Sequence, residues 1–531
     1  MEKDPMSTIS RRTFLGIAGA GIAAAGIGIP FVSGIAGASS TGRVLPSRAP
    51  LPPPFRRRLT LPPVLRPTRS DATTDYYDIV QTATRATILP GLTTELWTYN
   101  GSFPGPTIRS GRGRTVKVRH TNDLPIPTVV HLHGGRTPQD SDGYPTDYVY
   151  PTDMSCYARH HRHEHTGSGH DMDTGGDTRQ GERTYTFPLQ QRAATLWYHD
   201  HRMDFTGPSV WRGLAGFHLH HDDEEAALRL PDNEYVLPLM ITDRSFDSDG
   251  SLLYPSLDPT LVNQHGVHGD YVAGVLGDVM LVNGTPWPVA PVERGTYRLR
   301  LLNACNARRL SLRLDPPPPS AITQIGTDGG LLAEPVRHDH LELAPAQRFD
   351  VLVDFSHYAP GAEVTLVNDF GTAAMGQVMR FVVGEGRPAA YKVPDRLSTI
   401  PVLRPADAIV TRKFDFRAGD VNDHDGWLIS QAPFSPDSIA AHVRLGSTEI
   451  WQLNADFHHP VHIHLSPFQV LARGSGGPGP FDAGWKDTID LRPGEQAKIL
   501  IHFDGYQGKY VFHCHNLEHE DMAMMANFIV S

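Results

Sequence analysis

Near the end of the chain, the segment YVFHCH (residues 510 to 515) sets one of only three cysteines between two histidines. On a β-strand, successive side chains point to opposite faces. His513 and His515 would then share one face, and Cys514 would take the other. A single strand could serve two sites back to back. A soft thiolate with two imidazoles and a weak axial methionine makes a blue-copper electron-transfer site. His459, at the head of HPVHIH, with His519 and Met524 would complete that set around Cys514.

Eight His-x-His pairs occur among the 28 histidines of the 531 residues, where chance gives about 1.5. Four lie in strand-like contexts: His131/His133 in VVHLHGG, His199/His201 in WYHDH, His462/His464 in HPVHIHL, and His513/His515. Side chains two apart on a strand sit about 6.6 Å apart on one face. That spacing suits one imidazole for each of two neighbouring metals better than chelation of a single ion. Two pairs come from the first β-rich unit of the chain and two from the third, so the cluster would lie between those units. Eight imidazoles exceed what one closed zinc site can use.

Four further pairs read differently. His218/His220 and His338/His340 look like polar strand ends. His161/His163 and His163/His165 fall in a tract from 153 to 182 that also holds His160 and His170. Its Gly, Ser, Thr and Asp make it a loop, and loops longer than about 15 residues are functional or disordered. Two readings stay open: a solvated tract, or an accessory copper site built from His160, His161, His163, His165 and His170, since imidazoles can converge when a loop folds around a metal. A bridge from Cys156 to Cys305 is a further possibility.

The elements that must position these groups are short. With 45 prolines and 50 glycines, and apolar runs such as TVKVRH, ATLWYHDH, GTYRLRLLNA, RFDVLVDF and AKILIHF, the chain predicts an all-β fold. Phrases of similar shape recur, as in TIRSGRGRTVKVRHTN and APVERGTYRLRLLNA, which suggests duplicated sandwich modules. The expected division is a proline-rich basic strap at 39–70, then units at 71–222, 223–385 and 386–531. A net charge of −10 argues against a nucleic-acid partner. At the N-terminus, SRRTFLG leads into a Gly/Ala-rich apolar stretch ending in Ala36-Gly37-Ala38. That pattern reads as a twin-arginine export signal over 1–38, with no membrane span expected in the mature chain.

The segments NGSFPGPTI, HLHGG, DSDGYP, LWYHDH, IGTDGG, LAPAQRFDVLVDF, HPVHIHL, GWKDTI and HCHNLEHEDMAMM together resemble the three-domain multicopper oxidases. Within that family the likeness is to the spore-coat laccase, bilirubin oxidase and phenoxazinone synthase group, in order over residues 61 to 531. It implies three cupredoxin-like Greek-key β-sandwiches and four copper ions. By motif position, the type 1 copper takes His459, Cys514, His519 and Met524, and the type 2 copper takes His131 and His462. One type 3 copper takes His133, His199 and His513, and its partner takes His201, His464 and His515. The resemblance implies one-electron oxidation of phenols or aromatic amines, with electrons entering at His519 and O₂ reduced to water. Glu520 and Asp142 would deliver the protons. Bilirubin or o-aminophenol oxidation and cuprous metallo-oxidase activity are the alternative substrate readings. The insertion at 153–182 is the chief departure.

Overall fold

Alternation of apolar and polar residues, broken by glycine and proline, builds strands throughout the computed structural model, which describes residues 41–155, 157, 175–386, 391–421 and 424–531. Thr115–Asn122 shows the cause: Val116, Val118, His120 and Asn122 are buried, while Arg119 on the other face is exposed. One face packs on a core and one meets solvent, although this strand runs parallel to Thr74–Ala86 and antiparallel to Glu182–Phe187.

Among the described residues, the six larger sheets form three consecutive pairs, with two further two-stranded pairings beside them. In the first, Thr74–Ala86, Thr94–Tyr99, Thr115–Asn122 and Glu182–Phe187 form one sheet with Arg69–Ser70 at its edge. The facing sheet runs Gly105–Gly111, Ala215–His221, Ala194–Asp200, Val130–His133. The second pair packs around Trp287, Leu299, Phe349 and Phe381. The third packs around Trp451, Phe512 and Phe528. In that last pair, Ile439–Val443 runs parallel to Met525–Val530, and Ala408–Val421 parallel to Ser447–Ala455. Parallel neighbours cannot be joined by tight hairpins, so the chain crosses between sheets.

The proline-rich segment before the first sheet is extended. Arg43–Val44 pairs with Val275–Leu276, Arg58 bridges to Val289, and Val64 bridges to Thr107. It thus lies along the second sandwich and then the first. Among the described helices the longest is Thr206–Arg212, with 7 residues, and none is long and apolar enough to cross a membrane. His160, His161, His163, His165, His170 and Cys156 lie outside the described residues, as does the twin-arginine segment. Cys305 is a buried free thiol 3.7 Å from the Ile241 carbonyl.

Candidate metal centre

Register places the histidines. Antiparallel pairing of Ala194–Asp200 with Val130–His133 sets His199 opposite His131 and Trp197 opposite His133. Pairing of Gly508–Cys514 with His459–Ile463 sets His513 opposite His462 and Cys514 opposite Val461. Directly opposed residues share a face. His462 and His513 therefore project to one side, while Cys514, together with His459 two residues before Val461, projects to the other.

On the Cys514 side, the Nδ1 atoms of His459 and His519 are 3.1 Å apart and lie 3.5 and 3.6 Å from Cys514 Sγ. Their outer nitrogens are tied elsewhere. His459 Nε2–H donates to Asp456 Oδ1 at 3.0 Å, and His519 Nε2–H donates to the Ala273 carbonyl at 3.1 Å. Such outer bonds fix the tautomer and leave the inner nitrogens as ligands. Met524 is fully buried, and its backbone bonds both His519 and Cys514. Burial pushes the Cys514 thiol well above its ordinary range, so the thiolate forms when a cation takes the proton's place. His519 has no solvent-facing edge: Trp427 stacks on its ring with centroids 3.7 Å apart, and Ala273 covers Nε2. An electron reaching His519 must cross these covering groups.

On the other side, eight histidines from the first and third sandwiches converge. Among the described residues, His133, His199 and His515 form one set, and His201, His464 and His513 another; in each, the candidate ligand atoms lie within 4.8 Å of one another. Nε2 of His513 is 3.2 Å from Nε2 of His201 and 3.3 Å from that of His464. His131 and His462 face each other with Nε2 atoms 3.4 Å apart. Buried His133 Nδ1, His199 Nε2 and both ring nitrogens of His515 have no hydrogen-bond partner. Nitrogens left bare in a dry interior and aimed at a common point are what a bound cation would satisfy.

This geometry corrects one expectation. His515, and not His513, joins His133 and His199, with ring centroids 5.1 and 5.3 Å away. His513 joins His201 and His464, at 4.9 and 5.4 Å. Both side chains do share one face, but the strand ends at Cys514, and the turn beyond it carries His515 toward Trp197 and His199.

Acids hold the outer nitrogens. Asp142 serves two ligands, its carbonyl accepting from His131 Nδ1–H at 2.6 Å and its Oδ2 from His464 Nδ1–H at 2.7 Å. Asp487, which sequence reasoning did not single out although it sits in GWKDTI, also serves two. Its carbonyl accepts from His462 Nδ1–H at 2.8 Å, and its Oδ1 from His133 Nε2–H at 3.1 Å. Glu520 Oε2 meets His513 Nδ1 at 3.1 Å, and Oε1 lies 3.6 Å from His201 Nδ1. Burial holds His199 down to about 3 and His201 to about 4, so these imidazoles are neutral and able to ligate. Burial pushes the Asp142 carboxyl up to about 8. Burial also opposes ionisation of Glu520, but His513 and His201 outweigh it and bring that carboxyl to about 2. A cavity of about 290 Å³ bordered by Arg136, Gln191, Trp485 and Asp504 reaches His131 and His462.

Two multicopper oxidase family models match residues 81–160 and 406–531. Over 522 residues the chain is 36% identical to a laccase of Bacillus stratosphericus, covering 89% of this chain and 98% of that one. The chain belongs to the multicopper oxidases. It is also 33% identical to a bilirubin oxidase of Albifimbria verrucaria, over 90% of this chain and 82% of the other. A crystal structure of a laccase from Pediococcus acidilactici superposes with a TM-score of 0.77 at 33% identity, covering 91% and 96% of the two chains. The protein is thus a laccase-like oxidase of three cupredoxin sandwiches that binds copper and uses O₂.

Proposed function

We propose that this oxidase takes electrons singly from phenols or aromatic amines and passes four of them to O₂, with four protons, to give two waters. The proposed distribution is one type 1 copper at His459, Cys514, His519 and Met524, and one type 2 copper at His131 and His462. The two type 3 coppers fall at His133, His199 and His515, and at His201, His464 and His513. Copper at these positions supplies the redox couple and the O₂ chemistry; the chain fixes potential, path and protons. The observation that carries the reading is the strand Gly508–Cys514, which projects Cys514 into one site and His513 into the other. Its backbone is a covalent path between them, and His515 extends that path to the second type 3 set.

Glu520 and Asp142 are assigned proton delivery. Each touches ligand imidazoles directly, and the cavity beside His131 and His462 supports access for O₂ and water. Identity to a laccase and to a bilirubin oxidase is nearly equal, 36% against 33%, so the donor must be measured. Oxygen consumption with a phenol, an aromatic amine, bilirubin, o-aminophenol and Cu(I), side by side, tests this. The highest kcat/KM is expected for the phenol or the aromatic amine; a maximum for Cu(I) would overturn the substrate assignment. Export is proposed from Arg11 and Arg12 in SRRTFLG. Replacing both with Lys should keep the protein in the cytoplasm, and unchanged export would reject that route.

A further inference from the structure

Among the described residues the middle sandwich supplies no candidate ligand, yet one of its side chains reaches the metal centre. Arg348, first residue of the strand Arg348–Asp354, is fully buried. Nε–H donates to the Thr195 carbonyl of the first sandwich at 2.9 Å. Nη1 donates to Asp487 Oδ1 at 2.8 Å and to the Ala346 carbonyl at 2.9 Å. Nη2 donates to Asp487 Oδ2 and, at 3.1 Å, to the Asp328 carbonyl. The guanidinium offers five N–H groups in a rigid plane, and here they tie together three sandwiches.

Asp487 receives a two-pronged grip from this plane, and the same residue holds His133 through Oδ1 and His462 through its carbonyl. A second observation concerns the residue next to His133. Gly134 has φ +83°, and a Cβ there would lie 2.7 Å from Arg348 Nη2 and 2.9 Å from Asp487 Oδ2. The glycine of HLHGG leaves room for the fork. Buried ion pairs are weak sources of stability, and apolar replacements are often as stable. Placement against two ligands gives this one a different use.

We propose that Arg348 is a positioning residue through which the middle sandwich orients His133 and His462 by way of Asp487. The inference rests on the ligand assignment above, and copper content of the unaltered protein checks that assignment separately. In Arg348→Gln, the charge and the two-pronged grip are lost. The type 1 blue band and a cooperative thermal transition should persist, the midpoint lowered because Asp487 loses its buried partner, while the type 2 EPR signal weakens or changes its hyperfine splitting. Turnover should fall 10- to 100-fold, as for other outer partners of ligands. Arg348→Lys, which keeps charge without the fork, should recover part of the type 2 signal. If Arg348→Gln fails to fold, Arg348→Gln/Asp487→Asn removes both charges and should show the same selective change. Gly134→Ala, which crowds the fork with both partners present, should perturb the type 2 spectrum as well. Full copper with an unchanged type 2 spectrum in the foldable variants would overturn the proposal. Parallel loss of type 1 and type 2 copper would also overturn it, by showing a general structural role.

Discussion

Replacing Glu520 with Gln separates two duties that this carboxylate could perform. Oε2 lies 3.1 Å from His513 Nδ1, whose N–H donates to the Cys514 carbonyl, and Oε1 accepts the Thr206 hydroxyl at 2.8 Å. A glutamine has the same shape. Its carbonyl oxygen can keep the contact with His513, and its amide can donate to Thr206, whose own hydroxyl then turns to the Arg202 carbonyl at 3.3 Å. The fold should therefore survive. What changes first is the strength of the contact with His513, from ionic to neutral, a loss of about 1 to 1.5 kcal/mol. If orientation of His513 were the only duty, that loss converts to roughly tenfold in rate. Loss of a group that transfers protons costs about 10²- to 10⁴-fold. The two sizes do not overlap. We expect a fall in kcat of at least about 100-fold, measured by oxygen consumption on protein with full copper and an unchanged rate of anaerobic type 1 reduction. A fall of tenfold or less under those conditions would remove Glu520 from proton delivery and leave it an orienting role.

Other substitutions probe the two sites separately. Cys514→Ser should lose the blue absorption and the oxidase activity while the fold persists, because the thiolate–copper(II) bond gives that band; a blue Cys514→Ser protein would sink the type 1 assignment. Met524→Leu should keep the colour and raise the type 1 potential, since a weak axial ligand stabilises the oxidised metal; a redox titration without a rise would move attention to Met522 or Met525. Asp456→Asn should also raise that potential, because the carboxylate that accepts from His459 Nε2–H would be replaced by a neutral acceptor; an unchanged potential would mean that this bond does not tune the metal.

Much of this was legible in the chain because strand periodicity and ligand spacing agree. His131/His133, His462/His464 and His513/His515 alternate with apolar or cysteine neighbours, so a period of 2 already puts each pair on one face. The same period separates Cys514 from its flanking histidines, and the register with Val461 bears this out. What alternation cannot give is which end of a strand meets which set across the cluster. The turn after Cys514 sends His515 to the set of His133 and His199 and leaves His513 with His201 and His464, the reverse of what motif position implies. Asp487 and Arg348 were not legible for a related reason. They meet their partners across 354 and 139 residues of chain, and a buried Asp in GWKDTI looks like any other acid. The covering of His519 by Trp427 and Ala273 likewise joins segments far apart in sequence.

The central claim is that the Cys514 site and the histidine cluster act together to reduce O₂ by four electrons. The direct measurement is the stoichiometry of a phenolic donor against O₂ on protein of known copper content, with hydrogen peroxide assayed in the same vessel. The account predicts four coppers per chain, four electrons per O₂ consumed, and no accumulated peroxide. Two electrons per O₂ with matching peroxide, from protein carrying its full copper, would contradict it.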